Sequence, residues 1–386
     1  PFRQLNDPFP LTSPMRRHSN TPSLGRIAEQ AGVSRAAVSM ALRNHPRIPA
    51  STRERIQTIA KEMGWKPNPL LAEAMSAIRA GQPPVDRVTL AWVTTGPYRD
   101  EWKNSAFDVR CHEGAVDRAD SAGYRLETFW LGDANNNPER LGDILYNRGI
   151  NGVLIAPLRD PGTLSLQWER FAAATVAHTL ITPRLHSAND NHVAGARTCV
   201  ARMHACDRRR IGFALSAKLD HRVADLWSAG YLLETFEEGI SDQKLLHRPE
   251  ESVDEASFIR WVKKTKPDGV IGTNRQIPEW LKTAGFRVPQ DIAYANLDLD
   301  STKGEHAGIF QDARAIGAGA IDMIAGQLLR HERGVPEKPK TSIIDGHWID
   351  GTTMPKKIHH PEFVERAKRM LHNVGDPEPA RPVVYD

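Results

Sequence analysis

A run of small, hydroxylated and basic side chains marks one face of a short predicted helix near residue 40. Val38, Ala41 and Leu42 occupy the apolar face of this helix. The positions that point away from it are Ser34, Arg35, Ala36, Ser39, Met40 and Arg43. An arginine there can reach a guanine edge or a phosphate, and small neighbours let the backbone approach a nucleic acid closely. The pattern favours contact with a polyanion, although an ordinary three-helix bundle with a basic surface would carry similar residues.

The signatures of common catalytic and metal sites are missing from the sequence. It contains no G-x-S-x-G, H-E-x-x-H or G-x-x-x-x-G-K motif and no cluster of metal ligands. Cys111, Cys199 and Cys206 are too few and too scattered for a disulfide framework or a zinc site. We therefore expect a protein that is not an enzyme, with no catalytic residues, no metal and no cofactor.

Three short helices must position the basic face. The first runs from Leu24 to a stop at Gly32, and the second begins at Ser34, a good N-cap, and breaks at Pro46. The third ends at Gly64. Helix, tight turn and helix in this order are what a helix-turn-helix requires, in which the second helix presents its outer face to the major groove.

The positive charge of the chain is concentrated at its start. Residues 1–80 hold 12 Lys and Arg but 5 Asp and Glu, a net charge of +7, whereas the rest of the chain carries −3. A small basic module joined to a larger, slightly acidic body indicates a polyanion-binding head. The charge alone is also consistent with a basic tail that has no binding role.

After residue 87, apolar strand-like runs alternate with helical segments about every 25–30 residues, which predicts parallel sheets flanked by helices. The fold class is α/β, with a small all-α head and a two-lobed body. We predict a helix over 168–174, a strand over 175–181 and a single last strand over 341–349. The expected divisions are a disordered tail 1–22, a helix-turn-helix domain 23–66, a hinge helix and linker 67–86, lobe 1 over about 87–206 and 313–341, lobe 2 over about 207–312 and 342–354, and a tail 355–386.

Membrane and export signals are missing from the sequence. No stretch approaches the roughly 20 apolar residues of a membrane-spanning helix. The first 22 residues are polar and rich in proline, without the apolar core of a secretory signal. We expect a cytoplasmic protein that does not contact a membrane.

The segment 23–80 resembles the headpiece of the LacI/GalR family of transcription repressors. IAEQAGVS, AAVSMALRN, STRERI and GWKPNP match the family in order and at the right spacing. The resemblance implies that the second helix reads the major groove and that a hinge helix follows the Pro-Asn pair. It also implies that an apolar side chain, usually leucine, wedges into the minor groove at the operator centre.

Further positions are expected to contact DNA. Ser34 and Thr52 lie where helices begin, so their hydroxyls and the nearby amides can hold phosphates. Met40 replaces a frequent arginine, which favours a thymine methyl over guanine. The wedge position aligns with Ala74, so Leu71 or Met75 takes its place, unless both only pack hinge helices together. Also assigned to DNA contact are Ser23, Leu24 and Asn68.

The body resembles the family's effector domain, which is similar to periplasmic sugar-binding proteins. The matching segments are RRIGFAL, WSAGYLLE, DGVIGTN, PQDIAYANLD and AGIFQDARAIGAGAIDMIAGQLL. In such a fold the effector lies between two lobes, at the carboxyl ends of the strands. The residues that the resemblance places there are Tyr98, Trp102, Trp227, Asn274, Asp298 and Gln311.

Each of these positions has a structural alternative. Asp298 is also suited to a turn or cap, Asn274 to a turn, and Trp227 to the core. Trp227 stands where many members carry an arginine that clamps the ligand, so this chain departs from the usual sugar chemistry there. The sequence as a whole predicts a homodimeric repressor that binds a palindromic operator and is switched by a small molecule, most simply a saccharide.

Overall fold

The computed structural model describes residues 24–42, 48–63 and 88–371. The chain divides into two compact units, residues 1–86 and 87–386. We call the first the head and the second the body. The tail predicted over 1–22 and the hinge helix predicted within 67–86 lie outside the described residues.

Three helices form the head: α1 (Leu24–Ala31), α2 (Arg35–Leu42) and α3 (Ala50–Glu62). Apolar side chains from all three meet in one core, in which Ile27, Val38, Ala41 and Ile56 are fully buried. These are the positions that helical periodicity assigns to the inner face.

Gly32 and Ser34 form the tight turn between α1 and α2. Gly32 has a φ of +66°, a left-handed conformation that glycine adopts without strain. The hydroxyl of Ser34 accepts a hydrogen bond from the Ala37 amide at 3.1 Å and so caps α2. The predicted helix-turn-helix is therefore present.

Lobe 1 of the body is a parallel sheet covered by helices on both faces. Its strands are β1 (Val88–Thr94), β2 (Tyr124–Trp130), β3 (Gly152–Ile155), β5 (Ala172–Val176), β7 (His186–Asp190) and β13 (Thr341–Ile344). They lie in the order β13-β7-β5-β3-β1-β2. Helices α4 (Ala106–Ser121) and α11 (Ala313–Arg330) pack on one face, and α5 (Pro138–Asn147) packs on the other. A short ribbon pairs β4 (Gly162–Thr163) with β6 (Leu180–Thr182).

Lobe 2 repeats this architecture with one antiparallel edge strand. Its strands are β8 (Ile211–Ala214), β9 (Leu246–His247), β10 (Gly269–Gly272), β11 (Ala293–Asn296), β12 (Ala307–Phe310) and β14 (His347–Ile349). They lie in the order β14-β12-β11-β10-β8-β9. Its helices are α6 (His192–Ala205), α7 (Ala217–Arg222), α8 (Leu226–Glu237), α9 (Glu255–Thr265), α10 (Ile277–Thr283) and α12 (Pro361–Met370). Both sheets confirm the predicted α/β fold class.

The helix predicted over 168–174 is wrong. One turn of 3-10 helix over Trp168–Arg170 is followed by β5, which ends at Val176. Ala172, Ala173 and Ala174 favour helices in isolation, but they are fully buried in a central strand between helical layers. The side chain of Gln327 in α11 bonds both the amide and the carbonyl of Ala173, at 3.2 and 3.1 Å.

The single strand predicted over 341–349 is two strands in different lobes. β13 pairs with β7, and β14 pairs with β12. The chain crosses at Gly346, where an added Cβ would lie 2.8 Å from the Ile309 side chain and 3.0 Å from the Phe310 carbonyl oxygen. β13 therefore lies in lobe 1. Helix α6, which we expected in lobe 1, lies in lobe 2, because its side chains share a core with Phe213 and Trp227.

Two glycines bring α4 and α11 into backbone contact. A Cβ on Gly317 would lie 1.9 Å from the carbonyl oxygen of Cys111, and one on Gly114 would lie 2.1 Å from that of Arg314. Larger side chains cannot fit at either position. This close packing holds α4 in place, and the first turns of α4 contribute Asp108 and Arg110 to the site described below.

The last described helix, α12, closes the core of lobe 2. Leu371, which follows it, is buried in the cluster that contains α6 and α8. Arg366 lies 3.1 Å from the buried carboxylate of Glu234 in α8, and Arg197 of α6 donates to the same carboxylate at 2.7 Å. Burial nevertheless raises the pKa of Glu234 above its usual value.

Candidate DNA-binding and effector sites

The candidate DNA-binding face of the head carries exposed side chains on α2. Ser34 and Arg35 are exposed, and Met40 and Thr52 are partly exposed. The backbones of Leu24, Ala36 and Ser39 are helical, but their side chains lie outside the description. The remaining predicted DNA contacts also lie outside the described residues: Ser23, Arg43, Asn68, Leu71 and Met75.

Arg35 lies across the start of α1. A Cβ built on Gly25 would come within 2.8–3.1 Å of three atoms of the Arg35 guanidinium group. The guanidinium therefore rests on the bare backbone at Gly25, where it is exposed and makes no ion pair within the described head. It keeps its donors available for a base or a phosphate.

The body brings polar side chains together where strands of both sheets end. Asp190 is the last residue of β7, Asp298 follows β11 by two residues, and Gln311 directly follows β12. The first turns of α4 contribute Asp108 and Arg110 from lobe 1. Asp298 is subject to the charges of Arg110, Asp190 and His192, and Asp108 to that of Asp298. We call this group the cleft cluster; it consists of Asp108, Arg110, Asp190, His192, Arg222, Asp298 and Gln311.

Several polar atoms of the cleft cluster are buried without a partner. They include Nε and Nη2 of Arg110, Oδ1 of Asp190 and Oδ1 of Asp298, none of which has a hydrogen-bond partner within the described chain. Such atoms are costly to bury unless something else satisfies them. The mixture of donors and acceptors suits a ligand whose groups both donate and accept, as hydroxyls do.

Two arginines reach across from one lobe to the other. Arg110 of lobe 1 donates to the carbonyl oxygen of Asp300 in lobe 2 at 3.1 Å. Arg222 of lobe 2 donates to the carbonyl oxygen of Leu158 in lobe 1 at 2.9 Å. We call these two contacts the arginine latches. They tie the lobes together directly beside the cleft cluster.

A cavity of about 330 Å³ opens next to Arg222. Asn274 lines it, together with Ser216 and Thr273. Asn274 also makes the turn we considered as its alternative role, because its Oδ1 accepts the Gln276 amide at 2.9 Å. The cavity is large enough for a small ligand.

The three predicted aromatic contacts have different surroundings. Trp227 is buried in the core of lobe 2, with its ring 4.9 Å from that of His192. Trp102 is buried against Trp92, and its indole N–H has no partner in the described structure. Tyr98 is 53% exposed, and its hydroxyl accepts from Asn104 in the same loop, so the structure does not draw it into the cleft cluster.

The effector residues predicted from the sequence include none of the cations of the cleft cluster. Asp108, Arg110 and Arg222 lie in helices, where no local motif marks them as ligand contacts. Arg110 and Asp300 are 190 positions apart, so their contact has no local signal. Two arginines thus stand in the cleft of a chain that lacks the family's clamping arginine at Trp227.

Burial shifts the pKa values of two cleft carboxyls upward. Burial raises the pKa of Asp108 to about 7, although Ser105 and Arg222 oppose the shift. It raises the pKa of Asp298 to about 6, opposed mainly by Arg110. Neither carboxylate is fully compensated by the cations around it.

Comparison with known proteins identifies the head and the body. Residues 23–68 match the bacterial regulatory proteins of the lacI family, and residues 200–353 match the periplasmic binding protein-like domain. The chain joins a lacI-family head to a periplasmic binding protein-like body. The predicted combination of these two parts, and with it a DNA-binding regulator rather than an enzyme, is confirmed. A comparison with curated proteins gives no match.

Solved structures of LacI-family regulators share the fold. The transcriptional regulator CelR in its cellobiose complex has a TM-score of 0.54 and 19% identity, over 86% of this chain and 99% of that one. The lac repressor dimer bound to operator and an anti-inducer has a TM-score of 0.51 and 18% identity, over the same shares. The regulator CcpA from Weissella paramesenteroides, with bound glucose, has a TM-score of 0.52 and 14% identity, over 69% of this chain and 98% of that one.

Membrane spans and metal clusters are lacking in the described part of the chain. No helix there combines the length and apolar character needed to cross a bilayer. No three His, Cys, Asp or Glu side chains there are grouped as metal ligands would be.

We expect Asp108→Asn to flatten the pH dependence of body stability. Because the folded pKa is about 7 and the ordinary value is 3.8, the folded state holds the proton more tightly. The contribution of this carboxyl to stability is therefore full below about pH 4, falls as the pH rises from 4 to 7, and is lost above about pH 7. The amide avoids that loss, so the variant should gain roughly 2–4 kcal/mol over the parent at pH 8 and little at pH 4.

Thermal and urea unfolding at pH 4 and pH 8 measure this difference. Asp160→Asn is the matched control, because that carboxylate is exposed. A parent and an Asp108→Asn variant whose stabilities change equally with pH would contradict the buried, protonated carboxyl.

Proposed function

We propose that the chain is a homodimeric repressor that binds a palindromic operator and is switched by a saccharide bound in the cleft cluster. The observation that carries the proposal is the set of unpartnered buried donors and acceptors at the strand ends of both lobes. The LacI-type head supplies the DNA-binding part. Structures that share the fold hold cellobiose, glucose or an operator, which supports the same assignment.

The arginine latches suggest how the ligand acts. A sugar hydroxyl that engages Arg110 or Arg222 changes the balance between latched and unlatched lobes. Lobe orientation in turn sets the spacing of the two heads in a dimer, and thereby the affinity for the operator. The ligand shifts this equilibrium only to the extent that it binds one lobe arrangement more tightly.

Fluorescence anisotropy of the full chain on palindromic DNA from beside its own gene tests the proposal. Binding is measured at two salt concentrations against a scrambled duplex, and then again with a panel of neutral sugars. We expect specific binding with a steep salt dependence, and one class of sugar that changes it. Affinity equal to that for scrambled DNA would reject the operator, and indifference to every sugar would reject the effector class.

We further expect Arg222→Ala to weaken effector binding about tenfold or more. The change removes a charged hydrogen bond between the lobes, which is worth roughly 1.5–3 kcal/mol in the latched state. Calorimetry with the sugar found in the panel measures the dissociation constant. Arg159→Ala removes an exposed arginine close to Leu158 in sequence and is the matched control. Equal affinities for the two variants would show that the latch does not contribute.

A further inference from the structure

A basic pocket lies at the end of lobe 2 that is remote from the cleft cluster. Arg208 precedes β8, Gln290 precedes β11, and Lys356 and Lys357 follow β14, whose direction is opposite to that of the other strands. All four therefore lie at the amino ends of the parallel strands, whereas the cleft cluster lies at their carboxyl ends. The cavity measures about 570 Å³, within the usual range for a small-molecule site.

The lining of the basic pocket has one sign of charge. Three cations line it, Arg208, Lys356 and Lys357, and no carboxylate does. Lys356 and Lys357 are exposed and form no ion pair within the described body. The acid next to Gln290, Asp291, is bound by the backbone amide and the guanidinium of Arg287, and its charge also acts on Arg208. Because Arg287 neutralises this carboxylate, the three cations leave the pocket with a net positive charge.

The guanidinium of Arg208 is held in place by two hydrogen bonds, which leave one of its donors without a partner within the described body. Its Nη2 donates to the carbonyl oxygens of Pro289 and Gln290, at 2.8 and 3.2 Å, which fixes the plane of the guanidinium. Its Nε is buried and has no partner among the described residues. A planar, preorganised guanidinium with a spare donor is well suited to an oxyanion.

Besides the cations, the lining consists of two polar residues, Gln290 and Thr352, and three apolar ones. Pro289, Met354 and Pro355 line the pocket beside the cations. Met354 is buried, and its neighbour Pro355 is anchored through its carbonyl oxygen, which accepts from the Cys206 thiol at 3.4 Å. The pocket thus has cations on one part of its wall and apolar surface on another. This combination suits a small organic molecule that carries an anionic group.

We propose that the basic pocket binds a small phosphorylated metabolite, as a second ligand site separate from the cleft cluster. The phosphate contacts Arg208, Lys356 and Lys357, and the organic part lies against Met354 and the two prolines. A dianionic phosphate fits three cations better than a carboxylate does, because its charge and its three terminal oxygens provide more charge-assisted hydrogen bonds.

Calorimetric titration of the full chain with inorganic pyrophosphate, at about 0.15 M salt, tests the proposal. The test variant is Lys356→Ala with Lys357→Ala, and its control is Lys263→Ala with Lys264→Ala on the exposed side of α9, which removes the same charge. We expect one site per chain in the parent, about tenfold or more weaker affinity in the test variant, and parent-like affinity in the control. Asp298→Ala should leave the pyrophosphate affinity unchanged, because that residue belongs to the cleft.

Four results would overturn the proposal. The first is the absence of saturable heat with pyrophosphate. The second is an equal loss of affinity in both lysine pairs, which would mean diffuse attraction to the surface. The third is a Lys356 and Lys357 variant that loses affinity for duplex DNA but keeps the parent pyrophosphate affinity, which would make the surface a DNA contact. The fourth is a parent-like pyrophosphate affinity in a second variant, Arg208→Gln.

Discussion

Asp298→Ala should abolish the response to the effector and leave effector-free operator binding at the parent level. The carboxylate is enclosed between the lobes, and its Oδ1 has no partner within the described chain. Hydrogen bonds from ligand hydroxyls to a charged acceptor are worth roughly 1.5–3 kcal/mol each. The loss of one or two such bonds raises the dissociation constant of the effector about 10- to 1000-fold.

Operator anisotropy titrated with the sugar from the panel gives the dose–response curve for this variant. Asp300→Ala is the neighbouring control, because the bond from Arg110 goes to the backbone oxygen of that residue and survives the change. Burial raises the pKa of Asp298, so the buried charge costs free energy that alanine avoids, and we expect the variant to fold. An unchanged dose–response curve for Asp298→Ala would remove this residue from the effector site.

Arg35→Ala should weaken specific operator binding about 10- to 100-fold and leave body stability unchanged. A guanidinium that reads a base contributes roughly 1–3 kcal/mol of discrimination and adds attraction to the phosphates. Anisotropy on operator and scrambled DNA separates the two contributions. Lys61→Ala, which removes an exposed charge from α3, is expected to reduce the affinity for both DNAs by a similar, smaller factor.

Gly25→Ala tests whether Arg35 contacts DNA or instead stabilises the packing of α1 in the head. The new methyl group takes the space in which the Arg35 guanidinium rests, but the arginine itself remains. If Arg35 reads DNA, operator affinity stays within a few-fold of the parent value. If Arg35 mainly supports α1, the variant should unfold the head more easily and lose affinity as Arg35→Ala does, which would contradict our interpretation.

Local signals predicted the head and most of the body strands. Gly32 and Ser34 form a turn from residues that are adjacent in sequence, so the glycine and the cap could be recognised directly. Apolar β-branched runs such as 88–94 also form the strands expected of them. The failure at Ala172–Val176 arose because burial on both faces of a sheet outweighs the helical preference of alanine.

The cleft cluster was only partly predictable. Asp298 and Gln311 follow strands. Because ligands in such folds bind at the carboxyl ends of the strands, both residues could be predicted to lie at the ligand site. Asp108 and Arg222 come from helices whose ends reach the same place only through the folding of both lobes. No residue spacing in the sequence predicts this contact, because Asp108 and Arg222 are more than a hundred residues apart.

The division of residues 341–349 between β13 and β14 also determines when each part of the protein can fold during synthesis. Lobe 1 receives its β13 edge strand, and lobe 2 its β14 edge strand, from residues 341–349. The hydrophobic core of lobe 2 further requires Leu371. During synthesis the head can fold as soon as residue 63 or so has left the ribosome, while neither sheet of the body is complete until nearly three hundred residues later. Through most of translation the nascent chain therefore carries a complete head on a body whose unfinished sheet edges are open to aggregation.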